Sequence, residues 1–505
     1  MKSSSSMNRR IHKTIVKKYT QFDTQFTENS ALSFLRKIAS RPLEVQKYRF
    51  LPFITYFQKR QKYHARRGKL RASVTVKERP IALAAHHDAL IYLFYAEKLS
   101  KKYEMFLDNN NLNMVPTAYR RDFHGSNITA AKEIFDFIVD TQKSWIFKGD
   151  FKGFFDNLRH RILKEKVEAV LGESLKEDWL SVLNSLTKYR WIKSDNLPKF
   201  LKNKEHINSR NGAYVRDRSE LGELITDGHI EIEGPNKIGI PQGTALSAVL
   251  ANVYMIEFDQ VMHDICLGYG GLYRRYSDDF VIVIPKKSLQ ASEVLSFRDF
   301  IVQQSQSLTK LKIEPEKTKI FDFDHDCLPI MRLKSSSGTA NEKAAWFDYL
   351  GFVFNGEVVR LRERGIYRFH YRSKRALHGV MRVKADRRRI ALDEDGNKSH
   401  TRMVWRAGIR QFEEVSQIPK QVAYRKRMNN EKKRMNTNLI QTRLVTRMYL
   451  TGRRYGEKFS MVGYVKRAQS ILSENGGRYH VEVVEQIYRQ LKKNQRYLHR
   501  MRDEN

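Results

Sequence analysis

Tyr276-Ser277-Asp278-Asp279-Phe280-Val281-Ile282-Val283-Ile284 sets two adjacent carboxylates between a basic approach, Arg274-Arg275, and an unbroken apolar run. The pattern predicts a tight hairpin around Ser277 and Asp278, with a buried strand leading away. Neighbouring ionised aspartates repel, and holding them together is costly unless a cation neutralises them. In a strongly basic chain that cation is expected to be a divalent metal, held against polyphosphate and nucleic acid. An Asp-Asp pair alone is weak evidence, so the reading rests on what else the chain supplies.

Nucleotide joining needs a 3′-hydroxyl deprotonated, in-line attack at an α-phosphate and neutralisation of the leaving pyrophosphate. Two Mg²⁺ ions about 3.5–4 Å apart meet all three needs. They require oxygen donors from separate strands converging on one sheet edge. Asp150 ends the apolar segment Trp145-Ile146-Phe147 and offers the second strand. Antiparallel pairing would carry it to Asp278 and Asp279.

Composition sets the partner class. The 505 residues hold 93 Lys and Arg against 56 Asp and Glu, a net charge of +37, so polyanions are the expected partners. The excess concentrates late: residues 361–505 carry 36 Lys and Arg against 14 Asp and Glu. Aromatics interleave there, as in GIYRFHYRSKR (365–375), which suits single-stranded or folded RNA. No apolar run is long enough to span a membrane, and the basic N-terminus lacks the apolar stretch of a secretory signal. Two cysteines, Cys266 and Cys327, are too few for a zinc site or a disulfide framework. A cytoplasmic location is expected.

Along the chain, residues 1–70 read as a basic helical extension. A β-hairpin is expected around Ala72–Ala84, turning at Lys77-Glu78-Arg79. Asp88 in His86-His87-Asp88 reads as the N-cap of the helix that follows. Residues 193–236 look like a polar insertion. The loop Ile238-Gly239-Ile240-Pro241-Gln242-Gly243 opens one long buried helix, TALSAVLANVYMIEFDQVMHDI. Two acidic stretches, DFDHD (322–326) and DEDGN (393–397), read as turns and not as metal loops.

Seven of these segments together resemble the reverse transcriptases. KGDFKGFFDNLRH is similar to that family's motif A, GIPQGTALSAVLANVYM to motif B and RRYSDDFVIV to motif C. IEPEKTKIF resembles motif D and FDYLGFVFNG the primer-grip hairpin. VKERPIALAAHHDALIY and AYRRDFHGSN resemble the fingers motifs, all in the family's order over about 75–356. The resemblance implies an α+β right-hand polymerase: fingers and an antiparallel-sheet palm over 71–356, then a mostly helical basic thumb and RNA-binding region over 357–505. It implies that Asp150, Asp278 and Asp279, with the Phe151 carbonyl, bind two Mg²⁺ ions, Mn²⁺ serving as a substitute. Phe155 takes the place of the steric gate that rejects a 2′-hydroxyl. Gln242 and Gly243 approach the incoming nucleotide. Arg79 and Lys77 reach its triphosphate, with Lys69 and Arg71 as rivals. Lys317, or its neighbour Lys319, protonates the leaving group. Tyr349, Leu350 and Gly351 hold the primer end, and Arg120 contacts template RNA.

No zinc cluster, nuclease, integrase, protease or RNase H set is apparent, and Ser277 stands where group II intron enzymes usually carry Ala. The fingers stretches are most similar to the bacterial defence-associated and abortive-infection reverse transcriptases. That likeness implies an RNA-directed DNA polymerase working with a dedicated noncoding RNA in antiphage defence, taking dNTPs and making DNA. A retron-like or group II intron-like mobile element is the alternative. An RNA-dependent RNA polymerase and an inactive RNA-binding scaffold are the readings from other classes. Primer type and homo-oligomer formation stay open.

Overall fold

The computed structural model describes residues 11–12, 14, 19–64, 73–120, 125–313, 318–333, 340–394, 401–406, 409–414, 447–451 and 460–503. It is a mixed α+β structure with several sheets. Two compact units form: residues 1–124, 141–322 and 332–342, and residues 125–140, 323–331 and 343–505.

In the first unit, β1 (Phe53–His64) pairs antiparallel with β2 (Ser73–Leu83). β1 also takes the short strand Trp191–Lys193 on its other side. Two expectations are corrected here. Residues 53–64 are strand and not helix. Lys77-Glu78-Arg79 is no turn but the middle of β2, which pairs with the upstream segment. The charges mislead because β2 lies at the sheet edge, where charged residues and a proline such as Pro80 are tolerated.

Helix α1 (His86–Asn109) follows. Asp88 is not its N-cap: its carboxylate accepts from the Tyr48 hydroxyl and the Leu51 N–H, both at 2.9 Å, and so fastens an upstream loop. The helix start is served instead by Asp23, whose two oxygens accept the His86 and His87 N–H groups at 2.8 Å each. Its Oδ2 also meets His87 Nδ1 at 2.7 Å.

The central sheet contains β3 (Lys143–Asp150), and the long motif-B helix is in fact two. α2 (Ala245–Tyr254) begins at an N-cap, Thr244, whose side chain accepts from the Ser247 N–H. After Met255 comes α3 (Ile256–Gly268). β4 (Leu272–Tyr276) and β5 (Asp279–Pro285) form the hairpin, and β6 (Lys319–Asp324) lies on the far side of β3, giving the order β4-β5-β3-β6. Phe280 to Ile284 are all fully buried, which is why β5 reads as continuously apolar where an exposed face would alternate. Each such side chain contributes about 1.5–3 kcal/mol. Phe258 of α3 meets Phe151 edge-on at 5.5 Å and Tyr273 of β4 at 6.2 Å, so α3 backs the strand ends that carry the acids. The insertion builds two short helices, Lys204–Ser209 and Arg218–Thr226, and its Leu201, Val215, Leu221 and Ile230 share a small core with Phe22, Ile54 of β1 and Ile192.

The second unit has β7 (Phe347–Tyr349), β8 (Phe352–Phe354) and β9 (Val358–Leu361), then the helices α4 (Glu363–Glu394), α5 (Met461–Ser473) and α6 (Val483–Asp503). Asp393 and Glu394 of DEDGN close α4, and the rest of that stretch lies outside the described residues.

Burial opposes ionisation of Asp23, but the His87 ring and two backbone N–H groups outweigh it and hold the carboxyl below its usual range. A carboxyl depressed by folding stabilises above its unfolded pKa of about 3.9 and loses that contribution as pH falls through the folded value. Asp23→Ala is therefore expected to lose about 2 kcal/mol at pH 7 by urea denaturation, with the gap to wild type narrowing at pH 3. An equal gap at both pH values would exclude the ionised cap.

Candidate active site

The hairpin between β4 and β5 closes on two residues. Ser277 takes φ 61°, the left-handed conformation that a two-residue loop needs to match the strand twist. Tyr276 then stands opposite Asp279, and on the other flank of β5 Asp150 stands opposite Asp279. Facing residues in an antiparallel pair lie about 4.5–5.5 Å apart at Cα. The Phe151 N–H donates to the Asp278 carbonyl at 3.0 Å, tying the end of β3 to the turn itself. Residues 128 positions apart in the chain are thus neighbours. Asp150 is exposed and Asp278 and Asp279 are half-buried.

Gly149 explains the close seating. A Cβ there would sit 2.5 Å from the Phe280 ring, which lies across the glycine in the facing position. Any side chain there would force the buried Phe280 ring or the strand itself to shift.

Beneath the turn sits a charged group that sequence reasoning missed. Arg275 is fully buried, and its guanidinium donates to Asp259 of α3 at 2.7 and 2.6 Å. It also donates to Asn252 Oδ1 at 3.1 Å and to the Ser277 carbonyl at 3.0 Å. The Tyr273 hydroxyl adds a bond to Asp259 at 2.8 Å. Four of its five N–H groups are met by these partners, so the desolvated cation fixes the turn to helices α2 and α3. The signal was present as a second arginine before Tyr276, but its partner lies 16 residues upstream.

A second wall comes from the motif-B loop. Gly239, at φ 79°, lets the loop approach the 155–156 backbone, where a Cβ would come within 2.5 Å of the Asp156 carbonyl oxygen. The Ile240 N–H donates to the Phe155 carbonyl at 2.9 Å. Phe154 is buried, whereas the Phe155 ring is partly exposed. Gln242 accepts the Ala82 N–H through its carbonyl at 3.0 Å, and a Cβ on Gly243 would lie 2.5 Å from the Ala82 oxygen. Strand β2 therefore lies directly against the loop. Arg79 is exposed and, two residues from Ile81, shares the strand face that Ile81 turns toward Gly243.

Residues 100–354 match the family model described as reverse transcriptase (RNA-dependent DNA polymerase). The chain belongs to that family. Protein YkfC of Escherichia coli (strain K12) is 20% identical over 275 residues, which are 48% of this chain and 60% of YkfC. Among solved structures, apo telomerase from Candida tropicalis truncated from its C-terminal domain has a TM-score of 0.35 at 13% identity, covering 66% of this chain and 59% of that one. Telomerase from Candida albicans in complex with a TWJ fragment of telomeric RNA has a TM-score of 0.31 at 13% identity, covering 68% and 54%. The chain thus spans about three-fifths of the length of these first relatives.

Other residues marked on this reverse transcriptase-family sequence fall as follows. Lys77 lies on β2 opposite Arg60. Lys69, Arg71 and Lys317 lie outside the described residues, and Lys319 opens β6. The Arg120 guanidinium is paired with Glu104 and donates to the Asn113 and Pro116 carbonyls, with 4% of the side chain exposed. These bonds brace the segment after α1. In the second unit, Leu350 (φ 46°) and Gly351 (φ 98°) form a two-residue turn after Tyr349. The Leu350 carbonyl accepts from Asn127 Nδ2 at 3.1 Å, and the same amide meets the Tyr464 hydroxyl at 2.8 Å.

The donors at the acid cluster are hard oxygens, the type that suits Mg²⁺. The juxtaposition is one of backbone register: among the described residues no three His, Cys, Asp or Glu side chains converge closely enough to hold a metal ion by themselves.

Arg275→Met leaves the Asp259 carboxylate buried without its cation, and denaturant unfolding is expected to show a loss of about 3–5 kcal/mol. Arg275→Met/Asp259→Leu is expected to recover most of it, because no charge then remains unpaired. An undiminished single variant would contradict the buried bridge.

Proposed function

We propose that this protein is an RNA-directed DNA polymerase of the right-hand type. Fingers and palm fall within 71–356, preceded by the extension 1–70, with a thumb and RNA-binding region over 357–505. The observation that carries the reading is the register pairing of Asp150 with Asp279 beside Asp278, in a chain of the reverse transcriptase family. Asp150, Asp278 and Asp279, with the Phe151 carbonyl, would hold two Mg²⁺ ions or Mn²⁺ in their place. Bound there, such ions lower the pKa of the attacking 3′-hydroxyl and neutralise the leaving pyrophosphate.

The protein's own groups supply selection and positioning. The half-exposed Phe155 ring excludes a sugar bearing a 2′-hydroxyl. Gly243 lets the backbone approach the nucleotide closely, with Gln242 beside it. Arg79, and Lys77 on the same strand, draw the triphosphate, and Lys317 or Lys319 gives a proton to the leaving group. In the second unit, Tyr349, Leu350 and Gly351 hold the primer end.

Binding of RNA is supported by the outer face of α4. Arg364, Tyr367, Arg368, Tyr371, Arg372 and Arg375 recur at helical spacing and are all exposed, the two rings by 58% and 59%. Phe369, Ser373 and Leu377 line the buried face. Cations alternating with open rings suit a phosphate backbone carrying unstacked bases.

The biological setting we propose is bacterial antiphage defence with a dedicated noncoding RNA. The similarity of RPIALAAHHDALIY and YRRDFHGSN to the defence-associated enzymes supports it. A cytoplasmic location agrees with this, and no described helix is long and apolar enough to cross a membrane.

Primer extension on an RNA template tests the chemistry. Asp278→Ala is expected to reduce deoxynucleotide incorporation by about a thousandfold or more while RNA affinity stays near wild type. Surviving incorporation would remove the metal assignment, and a wild type that uses only ribonucleotides would favour an RNA polymerase. Phe155→Ala is expected to relax discrimination against ribonucleotides by about tenfold or more. Unchanged sugar selection would take Phe155 out of the gate role.

A further inference from the structure

Tyr119 is held in a conformation that costs the fold free energy. Its φ is 59°, a region that a bulky L-residue seldom enters. Burial of its ring does not compensate, because the residue is 50% exposed. The backbone before it is nevertheless tightly fixed. The Thr117 N–H and hydroxyl both donate to the Arg275 carbonyl, at 2.9 and 3.2 Å. The Arg275 N–H returns a bond to the Val115 carbonyl at 2.9 Å, and Asn252 Nδ2 donates to the Ala118 carbonyl at 2.7 Å. Segment 115–118 is thus laced to β4, the strand that enters the acid hairpin, and to α2. The outcome is a solvent-facing ring whose hydroxyl accepts from Ser277 Oγ at 3.4 Å, one residue before Asp278.

Strain of this kind persists where surrounding structure over-determines it, and it collects at binding sites. We infer that Tyr119 is a binding platform for the 3′-terminal nucleotide of the strand being extended. The inference rests on the polymerase reading, because that reading brings the reacting 3′ end to Asp150, Asp278 and Asp279. A ring beside Ser277 lies within about one nucleotide of that point. An aromatic face accepts any base by stacking, as copying an arbitrary template requires. The Arg275 group then serves two ends, since the same residue fixes the turn through its side chain and the Tyr119 segment through its backbone.

The test is steady-state primer extension and thermal unfolding of Tyr119→Gly and Tyr119→Phe in the full chain. Glycine adopts this φ without strain, so Tyr119→Gly is expected to unfold at or above the wild-type temperature. Its KM for primer–template should rise about tenfold or more, with kcat and the KM for dNTP little changed. Tyr119→Phe keeps the ring and should behave as wild type. A normal KM for primer–template in Tyr119→Gly overturns the proposal, as does a marked fall in its unfolding temperature, which would make the ring a structural prop. Equal impairment of Tyr119→Phe also overturns it by assigning the effect to the hydroxyl. A wild type that extends no primer removes the polymerase reading itself, whereas normal extension by both wild type and Tyr119→Gly removes only the Tyr119 assignment.

Discussion

The seating of β3 against β5 is the constraint from which the rest follows. Side chains along a strand alternate with a period of two, so a slip of one residue would turn Asp150 to the opposite face of the sheet. Three features resist that slip. Phe280 fills the space over Gly149, Phe151 reaches across to the Asp278 carbonyl, and the apolar residues of β5 are buried along their whole length. Each acts through the backbone or the apolar side chains of the two strands.

Holding two adjacent acids at a turn also needs support from below. Arg275 gives it as a buried cation bonded to Asp259, Asn252 and the Ser277 carbonyl. Such a group is costly to desolvate and tolerable only when its bonds are complete. Its bonds join α2, α3 and the turn in one arrangement. Asp150 is exposed and Asp278 and Asp279 are half-buried, while the backbone of the turn is anchored in the core. Gly239 and Gly243 serve the same end on the facing loop, where contact is made by backbone and not by side chains.

Much of this was legible in the chain. Asp150, Asp278 and Asp279 stand in motifs whose order is itself informative, and the apolar run of β5 announced a central strand. What escaped depended on partners remote in sequence. Asp88 looked like a cap because it lies near the start of a helix, yet its bonds go to Tyr48 and Leu51, while Asp23 does the capping from 63 residues upstream. Lys77-Glu78-Arg79 looked like a turn because edge strands are allowed the charges that central strands exclude. Arg120 stands in a stretch that resembles a fingers motif, and the partner of its guanidinium, Glu104 of α1, lies 16 residues upstream. Tyr119 could not be singled out among 24 tyrosines, since backbone φ leaves no trace in composition.

The central claim is that Asp150 and the Asp278-Asp279 turn form one divalent-cation site at the end of the β3–β5 pair. Anomalous diffraction from crystals grown with Mn²⁺, an RNA–DNA primer–template and a non-hydrolysable dNTP addresses it directly. The account predicts two manganese peaks about 3.5–4 Å apart between these carboxylates, with the triphosphate alongside. Manganese and nucleotide ordered together elsewhere, with the three aspartates bare, would contradict it.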